Sequence, residues 1–371
     1  MAEYVCEVSD RGTENERTKY RAVDENGNVL SKGRFIPART AFGKGFLKSV
    51  LAAGIATPVE HRRGGLVRGM FSLVHERSAE EGVAVSLLHP FSFAYYDRLG
   101  YAKVGDHLIA RVPVRLIDSA ERRCDMVPYE PRMLQDVISV SDAFCRGRDL
   151  LVKRTGDKWF VNEDKGYKTY VGYSEGKPAA YIVYTTSSRF DVNRLTDTVL
   201  TVREFGYTGP AGLRMIVSFI RMFEGEFETA EFTNLAMAPE FDLMLRHCEQ
   251  ASWRKVPDIA ARILNAAPVL EAGDYPEREG AFTLRITDGG PGTEGFWRVE
   301  YGGSDRRVRR TECTGEADIT LTQRAFTRLA YGYDRATPEF LGYMDGVEAA
   351  GDPSGFLAAF GGRPGGVFEH F

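Results

Sequence analysis

Residues 55–68 read Ile55-Ala56-Thr57-Pro58-Val59-Glu60-His61-Arg62-Arg63-Gly64-Gly65-Leu66-Val67-Arg68. The stretch before them, Ser49 to Thr57, is apolar and strand-like, and a short basic turn with two glycines follows. Beyond the turn, Leu66, Met70, Leu73 and Val74 repeat at three and four residues, the spacing of one helix face. A turn that leaves a strand and opens a helix can aim unpaired backbone N–H groups at one point, at the positive end of the helix dipole. Glycines let that backbone approach an anion closely, and Arg62, Arg63 and Arg68 add charge. A pyrophosphate is the natural ligand. Taken alone, the turn reads equally well as a solvated connection.

Working outward, Val83 to Leu88 returns to strand and Tyr101 to Val114 is another, which makes a βαβ unit around the turn. Upstream, Val29 to Ile36 follows Glu25-Asn26-Gly27-Asn28, where Asn-Gly favours a tight hairpin. After the polar stretch Ser119–Pro131 comes a second mixed segment. It has helices over Met133–Phe144 and Leu213–Phe223 and strands over Lys168–Tyr173, Ala179–Thr185 and Glu228–Leu235. Pro239–Cys248 reads as helical. In the last part, Phe282–Ile286, Gly295–Tyr301, Arg306–Arg310 and Ala317–Leu321 are short strands, followed by helices over Gln323–Tyr331 and Ser354–Phe360. The expected division is 1–119, 120–250 and 251–371, an α/β chain of mixed α+β domains.

Composition removes classes rather than naming an activity. Of 371 residues, 48 are Lys or Arg and 52 Asp or Glu, for a net charge of −4, without the basic excess of a nucleic-acid binder. Leu51 to Val59, the longest apolar stretch, is far short of the ~20 residues of a spanning helix, and the N-terminus has no signal-peptide core. No membrane partner is expected. The five cysteines are odd in number and widely spaced, which reads as reduced thiols in a cytoplasmic protein.

Other site signatures fail on spacing. Gly43-Lys44-Gly45 is followed by Phe46, so it is not a Walker A loop. Gly290-Pro291-Gly292-Thr293-Glu294-Gly295 matches G-x-G-x-x-G, but Phe296-Trp297-Arg298-Val299 after it is strand, whereas a dinucleotide fingerprint opens a helix. It reads as a hairpin turn. His61, His75, His89, His107, His247 and His370 are scattered, without metal-ligand spacing, and no metal is expected.

Two blocks together make the resemblance specific. Arg62-Arg63-Gly64-Gly65-Leu66 after a strand resembles the acetyl-CoA motif of the GNAT N-acetyltransferases. Ser86-Leu87-Leu88-His89-Pro90-Phe91-Ser92-Phe93-Ala94-Tyr95-Tyr96-Asp97-Arg98-Leu99-Gly100-Tyr101 resembles the Eis-like (enhanced intracellular survival) branch. Ala317–Leu321 followed by Leu329–Tyr333 is similar to that branch's sterol-carrier-like domain. The resemblance implies tandem GNAT-like domains, the second without a coenzyme motif, and a sterol-carrier-like third domain.

The family's roles then fall on numbered positions of this chain. Ile55, Ala56 and Thr57 would offer strand-edge groups to the pantetheine arm. Arg62, Arg63, Gly64, Gly65, Leu66, Val67 and Arg68 would surround the pyrophosphate, with Phe91 and Ser92 as further acetyl-CoA contacts. Tyr96 matches the general acid that protonates the departing thiolate, and the α-carboxylate of Phe371 matches the general base. Without the family, Tyr96 in its aromatic run reads as core, Ser92 as a helix N-cap and Phe371 as an anchored terminus. The implied acceptor is a primary amine, on a small polyamine or aminoglycoside-like molecule or a lysine side chain, and the implied assembly is a homohexamer. Family members usually place two helices after the first strand. Only 54 residues precede Ile55, so at least part of that acceptor wall is expected to be missing. The shortened region motivates the alternative reading, a non-catalytic acyl-CoA- or lipid-binding regulatory protein on the same scaffold.

Overall fold

Strands pair in sequence order from the N-terminus in a computed structural model, which describes residues 2–10, 16–117, 125–191, 194–244, 248–303, 305–312, 315–334, 336–369 and 371. Parts of the Ser119–Pro131 boundary and of Pro239–Cys248, together with His247 and His370, lie outside the described residues. The chain divides into two compact units. One comprises Met1–Gly105, Asp258–Arg363 and His370–Phe371; the other comprises Asp106–Pro257 and Pro364–Glu369.

In the first unit β1 (Glu3–Ser9) pairs antiparallel with β2 (Arg17–Val23), with no helix between them among the described residues. β2 turns into β3 (Val29–Phe42) where the sequence signals a hairpin. The Asp24 carboxylate accepts from the N–H groups of Asn26 and Asn28, at 2.9 and 2.8 Å, and Gly27 takes the left-handed φ of +81°. β4 (Gly45–Ala56) pairs antiparallel with β3, and α1 (Leu66–Glu80) then carries the chain to β5 (Val85–Leu88), parallel to β4.

α1 buries Met70, Phe71, Val74 and Ser78, one face at helical spacing. It stops in a Schellman motif. Gly82, at φ +74°, donates to the Ala79 carbonyl and Val83 donates to that of Ser78. α2 (Phe93–Asp97) and the start of β6 (Ala102–Pro113) complete this part. The core between sheet and helices is aromatic: Phe35 meets both Tyr20 and Phe71 edge-on at 5.4 Å.

The second unit holds β7 (Met126–Pro128), α3 (Leu134–Cys145), β8 (Lys168–Ser174), β9 (Lys177–Asp191), β10 (Arg194–Tyr207), α4 (Gly209–Arg221), β11 (Thr229–Phe232) and the start of β12 (Ser252–Ile263). β10, α4 and β11 repeat the β4–α1–β5 arrangement, because β11 runs parallel to β10. The connecting turn differs. Tyr207-Thr208-Gly209-Pro210 has no arginine, and Pro210 near the helix start supplies no N–H.

An ion cluster sits inside this unit. Arg154, only 2% exposed, donates twice to Glu204, at 2.9 and 2.6 Å, and twice to Glu369, at 3.0 and 2.8 Å. Its guanidinium lies 4.6 Å from the Trp159 ring, and the Tyr181 hydroxyl donates to Glu204. Burial works against the cation, but the two carboxylates hold Arg154 charged. The tail that carries Glu369 is pinned along its length in the same unit. Pro364 and Gly366 bond the Asp149 backbone, Asn234 Nδ2 donates to the Val367 carbonyl at 3.0 Å, and Phe368 packs on Phe205.

The rest of β12 returns to the first unit, where its Ala260–Ile263 pairs antiparallel with β5. After α5 (Ala266–Glu271) come β13 (Gly280–Thr287), β14 (Gly295–Gly302), β15 (Asp305–Thr311), β16 (Ile319–Thr322), α6 (Gln323–Ala330), α7 (Pro338–Leu341), β17 (Val347–Ala349) and α8 (Ser354–Ala359). They form a second sheet in the order β15-β14-β13-β16-β17. Gly290–Gly295 joins β13 to β14, the hairpin that the following strand implies. Pro239–Met244 is a 3-10 turn rather than an α-helix. The sequence reading also gave no strand at β1 or β2, and none over β10.

Candidate active site

The site starts from a defect in β4. Ala53 faces Arg34 and Ala56 faces Lys32, so Gly54 and Ile55 together oppose the single Gly33. This is a β-bulge. Gly54 occupies φ +58°, and a side chain on Gly33 would come within 2.6 Å of Ile55 Cδ1. Glycine is therefore required on both strands. Next to the bulge, β4 keeps its pairing with β5 only as far as Ala52 and Leu88, because the chain leaves β5 through His89-Pro90. The β5-facing edge of Ile55, Ala56 and Thr57 is left open.

The turn after that edge has the geometry of an anion cradle. Arg63 and Gly65 adopt left-handed φ values of +67° and +76°, separated by Gly64. Gly65 caps α1 without a side chain, and the first α-helical bond is Gly69 N–H to the Gly65 carbonyl. Among the described residues, nothing accepts a hydrogen bond from the backbone N–H groups of Arg63, Gly64, Gly65, Leu66, Val67 and Arg68. Arg62 is partly committed, since its Nε donates to the Thr57 carbonyl at 3.1 Å and braces the turn. Thr57 is braced in turn by Ser31, hydroxyl to hydroxyl at 2.8 Å. Tyr4, on a strand the sequence reading missed, donates to the Leu66 carbonyl at 3.0 Å and packs where a side chain on Gly69 would stand.

Across from the turn, Ser92 accepts from the Tyr95 N–H at 3.3 Å and caps α2, the role its residue type suggests in isolation. Phe91 is 78% exposed, with its ring 5.2 Å from that of Tyr95. Tyr96 is 3% exposed and ringed by Phe71, Phe91, Tyr95 and Tyr101 at centroid distances of 5.2–6.0 Å. Burial, with Tyr95 second, pushes its hydroxyl up to about 12. It stays protonated throughout the neutral range.

Phe371 reaches the same unit. Its ring lies 4.5 Å from that of His89, the residue that follows β5 and begins the segment carrying Phe91, Ser92 and Tyr96. His89 Nδ1 is 3.1 Å from Asp258 Oδ1, and both side chains are largely shielded. Sequence reasoning passed over His89 because the six histidines share no spacing. The signal available was its position between β5 and Pro90. His75 is the contrasting case: it bonds Tyr101, which bonds Ser86, and burial, then Arg262, keeps it neutral.

Residues 5–104 match the family model of an acetyltransferase (GNAT) domain, and residues 264–352 match that of a sterol carrier protein domain. No curated protein matches the chain. Among solved structures, a GCN5-related N-acetyltransferase from Anabaena variabilis superposes with a TM-score of 0.81 at 16% identity, over 95% of this chain and 89% of that one. A probable N-acyltransferase from Enterococcus faecalis gives 0.76 at 20% identity, over 96% and 89%. Eis1 from Mycobacterium abscessus gives 0.77 at 15% identity, over 95% and 91%. At these identities the likeness is one of fold.

Proposed function

The chain is a GNAT acetyltransferase that also carries a sterol-carrier domain, and we propose that it moves the acetyl group of acetyl-CoA directly to a primary amine. The observation that carries this is the run of six N–H groups, Arg63 to Arg68, left without acceptors among the described residues beside the open edge of β4. A pyrophosphate fits that run, and an extended amide-bearing arm fits Ile55, Ala56 and Thr57 as a strand would. Phe91 and Ser92 face the same substrate from α2. The working division is a catalytic domain over 1–119, a second GNAT-like domain over 120–250 and a sterol-carrier-like domain over 251–371 that brings Phe371.

In the transfer, the amine nitrogen attacks the thioester carbonyl carbon, a C–N bond forms and the C–S bond breaks. An alkyl ammonium near pKa ~10.4 must first lose a proton, which the Phe371 α-carboxylate accepts directly or through water. Tyr96 gives its phenolic proton to the leaving thiolate and recovers one from solvent. No covalent enzyme intermediate is needed. The acceptor is an amine on a small polycation or a lysine side chain. By family resemblance the assembly is a cytoplasmic homohexamer, which sedimentation of the purified chain tests. No helix among the described residues is long and apolar enough to cross a membrane.

Two measurements test the assignment. Adding residues after Phe371 converts its carboxylate to an amide, and transfer at pH 7 is expected to fall by about 10²-fold with CoA affinity unchanged. The loss should shrink as pH approaches the amine's own pKa, because less proton removal is then required; equal activity at pH 7 removes Phe371 from the mechanism. Gly65→Val forces a β-branched residue into φ +76°. CoA affinity is expected to drop at least about tenfold by calorimetry, a loss of 1.4 kcal/mol or more. Undiminished CoA binding by this variant would place the pyrophosphate elsewhere.

A further inference from the structure

A cavity of ≈ 660 Å³ opens in the first unit between α1, the end of α2, the β12–α5 junction and the Gly290–Thr293 turn. That volume suits a small-molecule ligand. Of its lining, the transfer chemistry uses only Arg68. Its wall includes the Gly290-Pro291-Gly292-Thr293 turn, which is not a dinucleotide fingerprint but is held rigidly. Thr293 Oγ1 accepts from Gly290 N–H at 3.0 Å, and a side chain on Gly292 would collide with Leu264 and Asn265.

Arg262 of β12 lines the cavity. Its Nη1 donates to the Leu99 carbonyl at 2.6 Å, while its buried Nε has no partner. No carboxylate forms an ion pair with it among the described residues. Gly100, at φ +78°, makes room for this guanidinium, because a side chain there would meet Nη1 at 2.8 Å. Arg68 and Arg98 line the cavity with it, against Glu76 and Glu80, so the lining is net positive by one with His75 neutral. Phe71, Leu99 and Leu264 supply apolar wall. A half-buried guanidinium that pairs with no carboxylate among the described residues, beside apolar surface, is the environment that a planar anion with an apolar body satisfies.

We infer that this cavity is a second binding site, for a small molecule bearing a carboxylate or phosphate on an apolar body, with Arg262 as its anion anchor. The site lies beyond the coenzyme turn, sharing only Arg68 with it, and does not depend on acetyl transfer. Phe71 lines the cavity and also packs against Tyr96 at 6.0 Å, so an occupant would adjoin the wall of the Tyr96 pocket.

Calorimetry on the full chain, with and without saturating CoA, tests this using benzoate, phenyl phosphate, inorganic phosphate and neutral benzamide. One-to-one binding of benzoate or phenyl phosphate is expected in both conditions, and the stronger of the two identifies the anionic group. Benzamide should bind at least about tenfold more weakly, since it cannot pair with the guanidinium. Arg262→Gln should cost at least about tenfold in affinity, and Arg262→Lys, which keeps charge but loses the fork, should also weaken binding. Ala79→Phe, which narrows the cavity from α1 and leaves the Arg262–Leu99 bond in place, should abolish binding if Arg262→Gln does not fold. The inference is overturned if neither anion binds at millimolar concentration. It is overturned equally if inorganic phosphate binds as well as both, if the Arg262 and Ala79 variants bind like the native chain, or if CoA displaces the probe.

Discussion

Tyr96→Phe is expected to slow acetyl transfer by about 10²-fold, the low end of the 10²–10⁴ range for general acid–base groups, while leaving CoA affinity unchanged. The low end follows from the environment. Burial raises the hydroxyl to about 12, and an unperturbed thiol lies near ~8.5, so full proton transfer in the ground state is uphill by roughly 3.5 units, or ~5 kcal/mol. Tyr96 therefore contributes mainly as a hydrogen-bond donor to charge developing on sulfur, in a site where that donor is already desolvated. The pH profile separates this from a packing role. With the hydroxyl pushed up to about 12, the acidic form persists through pH 10, where an ordinary tyrosine is half ionised. Native activity should thus keep rising with amine deprotonation up to pH 10 and not bend down there. A bend near pH 10, or full activity in Tyr96→Phe, would falsify the assignment.

Arg154→Met is expected to destabilise the second unit by about 3–5 kcal/mol, the cost of breaking a buried ion network by removing one partner. Glu204 and Glu369 would then face each other in a site where Arg154 is only 2% exposed and Glu204 5%. Burial already raises Glu204, so the variant should regain stability at low pH as the carboxylates take up protons. The sign is fixed by direction. A carboxylate whose folded pKa is raised favours the folded state when protonated and penalises it when ionised. Urea unfolding at pH 5 and pH 8 checks this, and an equal loss at both would show that packing rather than charge dominates. Arg154→Lys should lie between, because a point charge cannot serve two carboxylates through a fork. Glu369 lies two residues before Phe371, so the terminal-extension variant should be compared with native protein of verified stability.

The β4–α1–β5 unit and the sterol-carrier strands were legible because local rules decided them. The glycines of the 62–68 turn, the three-and-four spacing of Leu66, Met70, Leu73 and Val74, and the Gly290 hairpin all act within a few residues. Segments decided by distant partners were not legible. β1 is exposed along most of its length, so it lacks the alternation that marks a half-buried strand. It exists because β2 supplies its ladder and because Tyr4 finds the Leu66 carbonyl 62 residues away. Pro239–Met244 carries a helical apolar pattern yet closes only 3-10 turns.

The candidate site divides along the same line. The basic glycine turn at 62–68 could be listed from residue type and local order, whereas Tyr96 and Phe371 entered only through the family resemblance. The tertiary structure decided their environments. It opened the β4 edge through the Gly54–Gly33 bulge, left six N–H groups without acceptors among the described residues and buried Tyr96 under four rings. It also brought His89 and Asp258 together across 169 residues and placed the Phe371 ring against His89. The physical reason is that pKa, desolvation and hydrogen-bond satisfaction depend on what surrounds a group. For Arg262 and Phe371 those surroundings come from elements far away in the sequence, Leu99 and His89.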